Sequence, residues 1–176
     1  MSVATSPTTP PPRVNDVALD LTVETPDAMR ALAARIGERC VRGDVLVLSG
    51  DLGAGKTTFT QGLARGMGIT AAVTSPTFVI SRVHPSAADG PALVHVDAYR
   101  LGSVAELDDL DLDADLDDSV VVIEWGRGLA EQLSPHGLDI VITRSNDASD
   151  EVRNVALAPR GERWQALIDD AGRWLA

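Results

Sequence analysis

The sequence predicts an α/β fold: a sheet with central parallel strands and antiparallel edge strands, with helices on both faces. Three observations predict it. Three short apolar runs, "DVLVLSG", "ALVHVD" and "VVVIEW", have the composition of strands buried on both faces, as in a parallel sheet. The first of them runs directly into the glycine-rich stretch "GDLGAGKTT" (residues 50–58) and then into a helical pattern, giving the order strand, loop, helix. Two later runs, "LDIVIT" and "VRNVALA", flank the polar turn "RSNDASDE" and read as an antiparallel pair.

The 176 residues suffice for one domain with a substantial core, expected over 17–176, after a Pro- and Thr-rich tail, 1–16, that reads as disordered. "VALDLTV" alternates apolar with polar residues as a half-buried first strand does. A helix follows over 25–43, with Thr25 at the N-cap, Pro26 at the first helical position, and Met29, Leu32, Ala33, Ile36 and Cys40 on one face. Gly43 is expected to end it. A second helix runs from Lys56 to about Met67, closed by Gly68, and "PTFVISRVH" reads as a strand. Ser103 and Glu106 have the spacing of a capping box for a short helix entering the run "ELDDLDLDADLDD". There Leu107, Leu110, Leu112 and Leu116 interleave with acids, which suits a half-buried helix or a docking surface for a partner. The end of the chain places Trp164, Leu167, Ile168, Ala171, Trp174 and Leu175 on one stripe of a docking helix.

Residues 50–57 fit the pattern G-x-x-x-x-G-K-[ST], and Lys56 within it is the only lysine among the 15 basic residues. Each fixed position has a mechanical reason. Glycines let the backbone curl so that N–H groups converge on phosphate oxygens, and the following helix adds its positive N-terminal end. A lysine reaches the outer phosphates as a point charge, where a planar guanidinium fits less well. Thr57 offers a hydroxyl to Mg²⁺. Chance would produce these residues around a given lysine about once in a thousand. Magnesium also needs a carboxylate near the strand ends, and Asp97 and Glu124 each close an apolar run. Trp125 beside Glu124 is either core packing or a flat surface near the nucleotide.

Absences narrow the class. Guanine-specific GTPases need a second lysine in their base-reading element, and none exists. A small-molecule kinase is the rival reading, but the segment where its Arg-bearing lid belongs, 106–118, is acidic. An EF-hand fails too: Asp111, Asp113 and Asp115 copy its first ligands, but Leu116 and Val122 stand where Gly and Glu are required. Net charge of −11 argues against direct, tight nucleic-acid binding. His84, His95 and His136 lack metal-ligand spacing, and the lone Cys40 reads as packing in a reducing cytoplasm. Neither a secretory signal nor an apolar run of membrane-spanning length is visible.

"GDLGAGKTTFTQGLARGMGI", "TSPTFVI", "HVDAYRL", "ELDDLDL" and "VVVIEWGRG", in this order, resemble the TsaE (YjeE) family over roughly residues 20–160. Its members are P-loop ATPases of the bacterial pathway that makes N6-threonylcarbamoyladenosine on tRNA. The resemblance implies that Asp51, Leu52, Gly53, Ala54, Gly55 and Lys56, with Thr58 beside them, cradle the phosphates of ATP, and that Thr57 and Glu124 hold Mg²⁺. It implies a switch-like position for Thr77, an acid needed for hydrolysis at Asp97, and a place beside the nucleotide for Trp125. Arg153 matches a late basic residue that reaches the nucleotide, and the turn at Thr25 and Pro26 falls near the adenine. The implied partners are a TsaD-like threonylcarbamoyltransferase and a TsaB-like paralogue, with tRNA engaged only through them. The chain alone is expected to be a cytoplasmic monomer.

Overall fold

The structure, a computed structural model, describes residues 17–76, 79–87, 89–128, 130, 133–145 and 150–175. The expected tail lies outside these residues, as does Thr77. Among the described residues seven strands form one sheet: β1 (Leu19–Val23), β2 (Val45–Ser49), β3 (Ser81–His84), β4 (Ala92–Asp97), β5 (Ser119–Glu124), β6 (Gly137–Arg144) and β7 (Arg153–Arg160), in the order β1-β7-β6-β2-β5-β4-β3. The central pairs β6–β2, β2–β5 and β5–β4 are parallel, whereas β1–β7, β7–β6 and β4–β3 are antiparallel. The mixed sheet expected from the sequence is therefore present.

Alternation along the central strands feeds two cores. Leu46, Leu48, Leu93, Val120 and Val122 face one side, where α1 (Pro26–Gly37), α2 (Lys56–Gly66), α5 (Glu162–Asp169) and α6 (Ala171–Trp174) cover them. Val45, Val47, Val94, Val96, Val121 and Ile123 face the other, under α3 (Val104–Asp108) and α4 (Leu112–Leu116). Each fully buried side chain of this size contributes about 1.5–3 kcal/mol of transfer free energy. Both faces are consequently closed, and function is left to the strand ends.

Helices α1 and α2 touch backbone to backbone through glycines. A Cβ on Gly66 would lie 2.0 Å from the Ala34 carbonyl oxygen, one on Gly62 2.3 Å from that of Arg30, and one on Gly37 2.2 Å from that of Leu63. Alanine gains up to about 1 kcal/mol of helix propensity over glycine, but overpacking against a backbone that cannot yield costs about 1–3 kcal/mol. Gly66→Ala is expected to lower the midpoint of urea unfolding for this reason; an unchanged or raised midpoint would show that the helices separate freely.

Four boundaries differ from the sequence reading. α1 ends at Gly37 rather than Gly43, because the next residues turn toward β2, with Arg39 N donating to Ile36 O and Cys40 N to Gly37 O. The buried Asp44 carboxylate accepts from Val41 N at 2.8 Å and from Trp164 Nε1 at 2.9 Å, and pairs with Arg163, which ties this turn to α5. β3 starts at Ser81, not at residue 76, since Val79 N and Ile80 N both donate to Pro76 O in a tight turn. The acidic run forms two short helices instead of one, broken at Asp111, whose φ of 53° is left-handed. Leu107 and Leu112 are buried, with Leu110 and Leu116 packed partly against them. The C-terminal stripe likewise breaks into α5 and α6 at Asp170, though Trp164, Ile168, Ala171 and Trp174 are all buried as expected.

Candidate functional site

The loop between β2 and α2 lies at the C-terminal end of the parallel strands. Gly53 (φ 76°) and Gly55 (φ 111°) take left-handed conformations that side chains resist, and Gly55 hands the chain to α2 without any side-chain cap. Backbone N–H groups of the first helical turn are thereby left for an anion. Arg153 Nε donates to Ala54 O at 3.1 Å and fixes the loop from β7.

Lys56 is only 5% exposed. Its ammonium donates to Gly50 O (2.7 Å) and Asp51 O (3.0 Å) and lies 4.0 Å from the centroid of the Trp125 ring. Burial lowers its pKa from the ordinary 10.5, against the opposing charges of Glu124, Asp97 and Asp51. Trp125 holds this position through a left-handed backbone (φ 62°) and an edge contact with the exposed Tyr99, centroids 5.2 Å apart. The indole is therefore a cover for the lysine rather than a core side chain.

Glu124, 3% exposed, ends β5 in register with Asp97 at the end of β4. The Thr57 hydroxyl donates to Glu124 Oε1 at 3.3 Å, and His95 Nε2 lies 2.8 Å from the same oxygen. Asp97 Oδ1 accepts from Tyr99 N at 3.0 Å. A hydroxyl and a carboxylate side by side are hard oxygen donors that suit Mg²⁺, which keeps several waters and takes only one or two protein ligands beside its phosphates. Among the described residues no group of three or more His, Cys, Asp or Glu side chains could hold an ion by itself. A pocket of about 100 Å³ opens beyond the loop, lined by Thr25, Pro26, Met29, Gly53, Ala54, Gly55, Thr58, Glu151 and Arg153.

A model of the threonylcarbamoyl adenosine biosynthesis protein TsaE matches residues 23–155. The chain belongs to the TsaE family. It is 56% identical over 138 residues to the Streptomyces coelicolor tRNA threonylcarbamoyladenosine biosynthesis protein TsaE, covering 77% of this chain and 93% of that one. The Bacillus subtilis protein of the same name is 41% identical over 150 residues, covering 84% and 90%. The crystal structure of Bacillus YdiB superposes with a TM-score of 0.71 at 36% identity, covering 88% of this chain and 94% of that one.

In this TsaE-family chain the residues singled out from sequence gather at one end of the sheet. Lys56, Thr57, Asp97, Glu124 and Trp125 meet there, and Thr25, Pro26 and Arg153 line the adjoining pocket, with Thr25 also capping α1 through Ala28 N at 3.1 Å. Thr77 lies outside the described residues. Sequence reasoning missed four participants, one of them Glu151 on the pocket wall. His95 anchors Glu124, Arg144 reaches the loop at Gly53, and Met29 lines the pocket from α1. For His95 a signal existed: "HVD" has the i, i+2 spacing that puts it on the face of the strand shared by Asp97. No helix of the described residues is long and apolar enough to cross a membrane.

Proposed function

We propose that the protein is a magnesium-dependent ATPase of tRNA threonylcarbamoyladenosine biosynthesis, working as a switch on a TsaD-like transferase and a TsaB-like companion. The observation that carries this reading is the buried ammonium of Lys56 at the mouth of a curled loop, with the Thr57–Glu124 oxygen pair beside it. The names of the relatives support the pathway. The net charge of −11 agrees with tRNA being engaged through the partners.

Lys56 leaves the carbonyls of Gly50 and Asp51 when phosphate oxygens offer a stronger, charge-assisted bond. The uncapped amides of α2 and the ammonium then hold charge on the terminal phosphoryl, a preorganised stabilisation of the kind that dominates phosphoryl transfer. Thr57 and Glu124 would hold Mg²⁺, which when bound neutralises the outer phosphates. Asp97, buried next to Glu124 in register, would orient the water or the metal.

The deciding experiment follows labelled terminal phosphate from ATP and Mg²⁺ in the presence of the two partner proteins. Inorganic phosphate alone is expected, with turnover stimulated by the partners. Label on a small metabolite would establish the kinase reading instead, and no release in a single turnover would leave a non-hydrolysing nucleotide sensor.

Alkaline pH provides a further check. The lowered pKa of Lys56 means that its charge is lost below the ordinary 10.5. ATP affinity is expected to fall as pH rises through that window, while an arginine at position 56 stays charged and its affinity stays flat. Folding responds in the opposite sense. In the same window the unfolded chain binds more protons than the folded one, so the contribution of Lys56 to stability rises with pH. Calorimetric ATP titrations at a series of alkaline pH values test the binding arm; a parallel decline in Lys56→Arg would assign the titration to another group.

A further inference from the structure

We propose that His95 is a positioning residue: it aims the Glu124 carboxylate, and without it the Thr57–Glu124 oxygen pair does not hold its geometry. This rests on the reading of Glu124 as the metal-side carboxylate.

Glu124 is almost wholly removed from water, and a buried carboxylate is costly unless it is hydrogen-bonded. Among the described residues two groups hydrogen-bond its side chain, Thr57 at 3.3 Å and His95 at 2.8 Å, both on Oε1. The Thr57 bond is the longer one, and its hydroxyl is the group that turns to an arriving cation. His95 is then the anchor that remains. An ionised carboxylate only accepts, so the proton of this bond resides on Nε2 of the ring.

The fold holds the ring itself firmly. His95 is fully buried in β4 between β3 and β5. In the β3–β4 register Arg82 stands opposite His95 and His84 opposite Leu93, which makes His84 its diagonal neighbour on the same face. The two ring centroids are 6.4 Å apart. His95 Nδ1 and His84 Nε2 are buried without a hydrogen-bond partner among the described residues. Packing alone would favour an aliphatic residue at either place; a histidine at 95 is explained by what Nε2 does. The arrangement is that of the outer-shell partners that orient metal-ligating carboxylates elsewhere.

Two conservative variants separate positioning from packing. The amide nitrogen of His95→Gln reaches where Nε2 was, and that of His95→Asn stops short. In the Asn variant, the magnesium concentration for half-maximal ATP hydrolysis, and for half-maximal thermal stabilisation by ATP, is expected to rise about 10- to 100-fold. Dissociation constants for ATP in EDTA should stay unchanged, and the Gln variant should remain within about threefold of the native protein, well under that outer-shell effect. An unaltered magnesium requirement in the Asn variant, or equal shifts in both variants, would overturn the role of His95. Nitrogen NMR of the native imidazole tests it without any variant: the proton belongs on Nε2, and an Nδ1–H tautomer refutes it. Should the native protein show no magnesium-dependent stabilisation by ATP, the reading of Glu124 fails first and the proposal with it; a normal native response with an indifferent Asn variant removes His95 alone.

Discussion

Replacing Lys56 by alanine is expected to weaken ATP binding by about 100-fold or more while the fold persists. A hydrogen bond to a charged group is worth about 1.5–3 kcal/mol, and the ammonium has donors for at least two phosphate oxygens. Two such bonds amount to about 3 kcal/mol at the low end, which is roughly a factor of 100 in the dissociation constant. The native protein already spends part of this, since Lys56 must leave Gly50 O, Asp51 O and the Trp125 ring. Those contacts offset part of the gain, but a phosphate oxygen carries a full negative charge where a carbonyl does not, so the bonds to phosphate are expected to outweigh them. Stability should change little. The carbonyl of Asp51 belongs to an exposed stretch that water can satisfy, and deleting a charge whose pKa is lowered by burial removes a desolvation cost. Calorimetry for affinity and thermal melting for stability check the two halves together. An unchanged dissociation constant would rule out the loop assignment, and loss of cooperative melting would mean that Lys56 supports the fold rather than a ligand.

Legibility from sequence followed the range of the interactions concerned. The β2–loop–α2 unit was readable because its signals are local: an apolar run, glycines at fixed offsets and a helix start. Asp97 and Glu124 were readable as a pair because each ends an apolar strand, and the parallel register sets them side by side. The end of α1 was not readable, because Gly37 serves a contact with Leu63 and the turn that follows is tied down by Asp44, Trp164 and Arg163 from the far end of the chain. The break at Asp111 turns on a left-handed backbone that an aspartate adopts without announcing it. The His95–Glu124 bond spans 29 residues and two strands, so only the shared face with Asp97 hinted at it. Trp125 was ambiguous between packing and site for a similar reason: its position over Lys56 depends on a positive φ at the residue just after β5.

Replacing Glu124 by glutamine is expected to separate turnover from binding. The side chain stands beside the Thr57 hydroxyl, at the end of β5 and the start of α2. ATP affinity measured without magnesium should therefore stay within a few-fold of native. Hydrolysis should fall on the order of 100- to 1,000-fold, the usual loss when one preorganised electrostatic partner of a transition state is removed. Glutamine keeps the volume and can still accept from His95, so the fold is retained. Alanine differs, because it leaves His95 Nε2 buried without an acceptor and adds about 1–3 kcal/mol of destabilisation to the catalytic defect. The ratio of the two variants is informative in itself. Equal loss of turnover with unequal melting temperatures assigns Glu124 to the chemistry and His95 to its support. Phosphate release by Glu124→Gln at the native rate under limiting magnesium would count against the carboxylate as a metal ligand, and would move that role to Asp97, its neighbour in register.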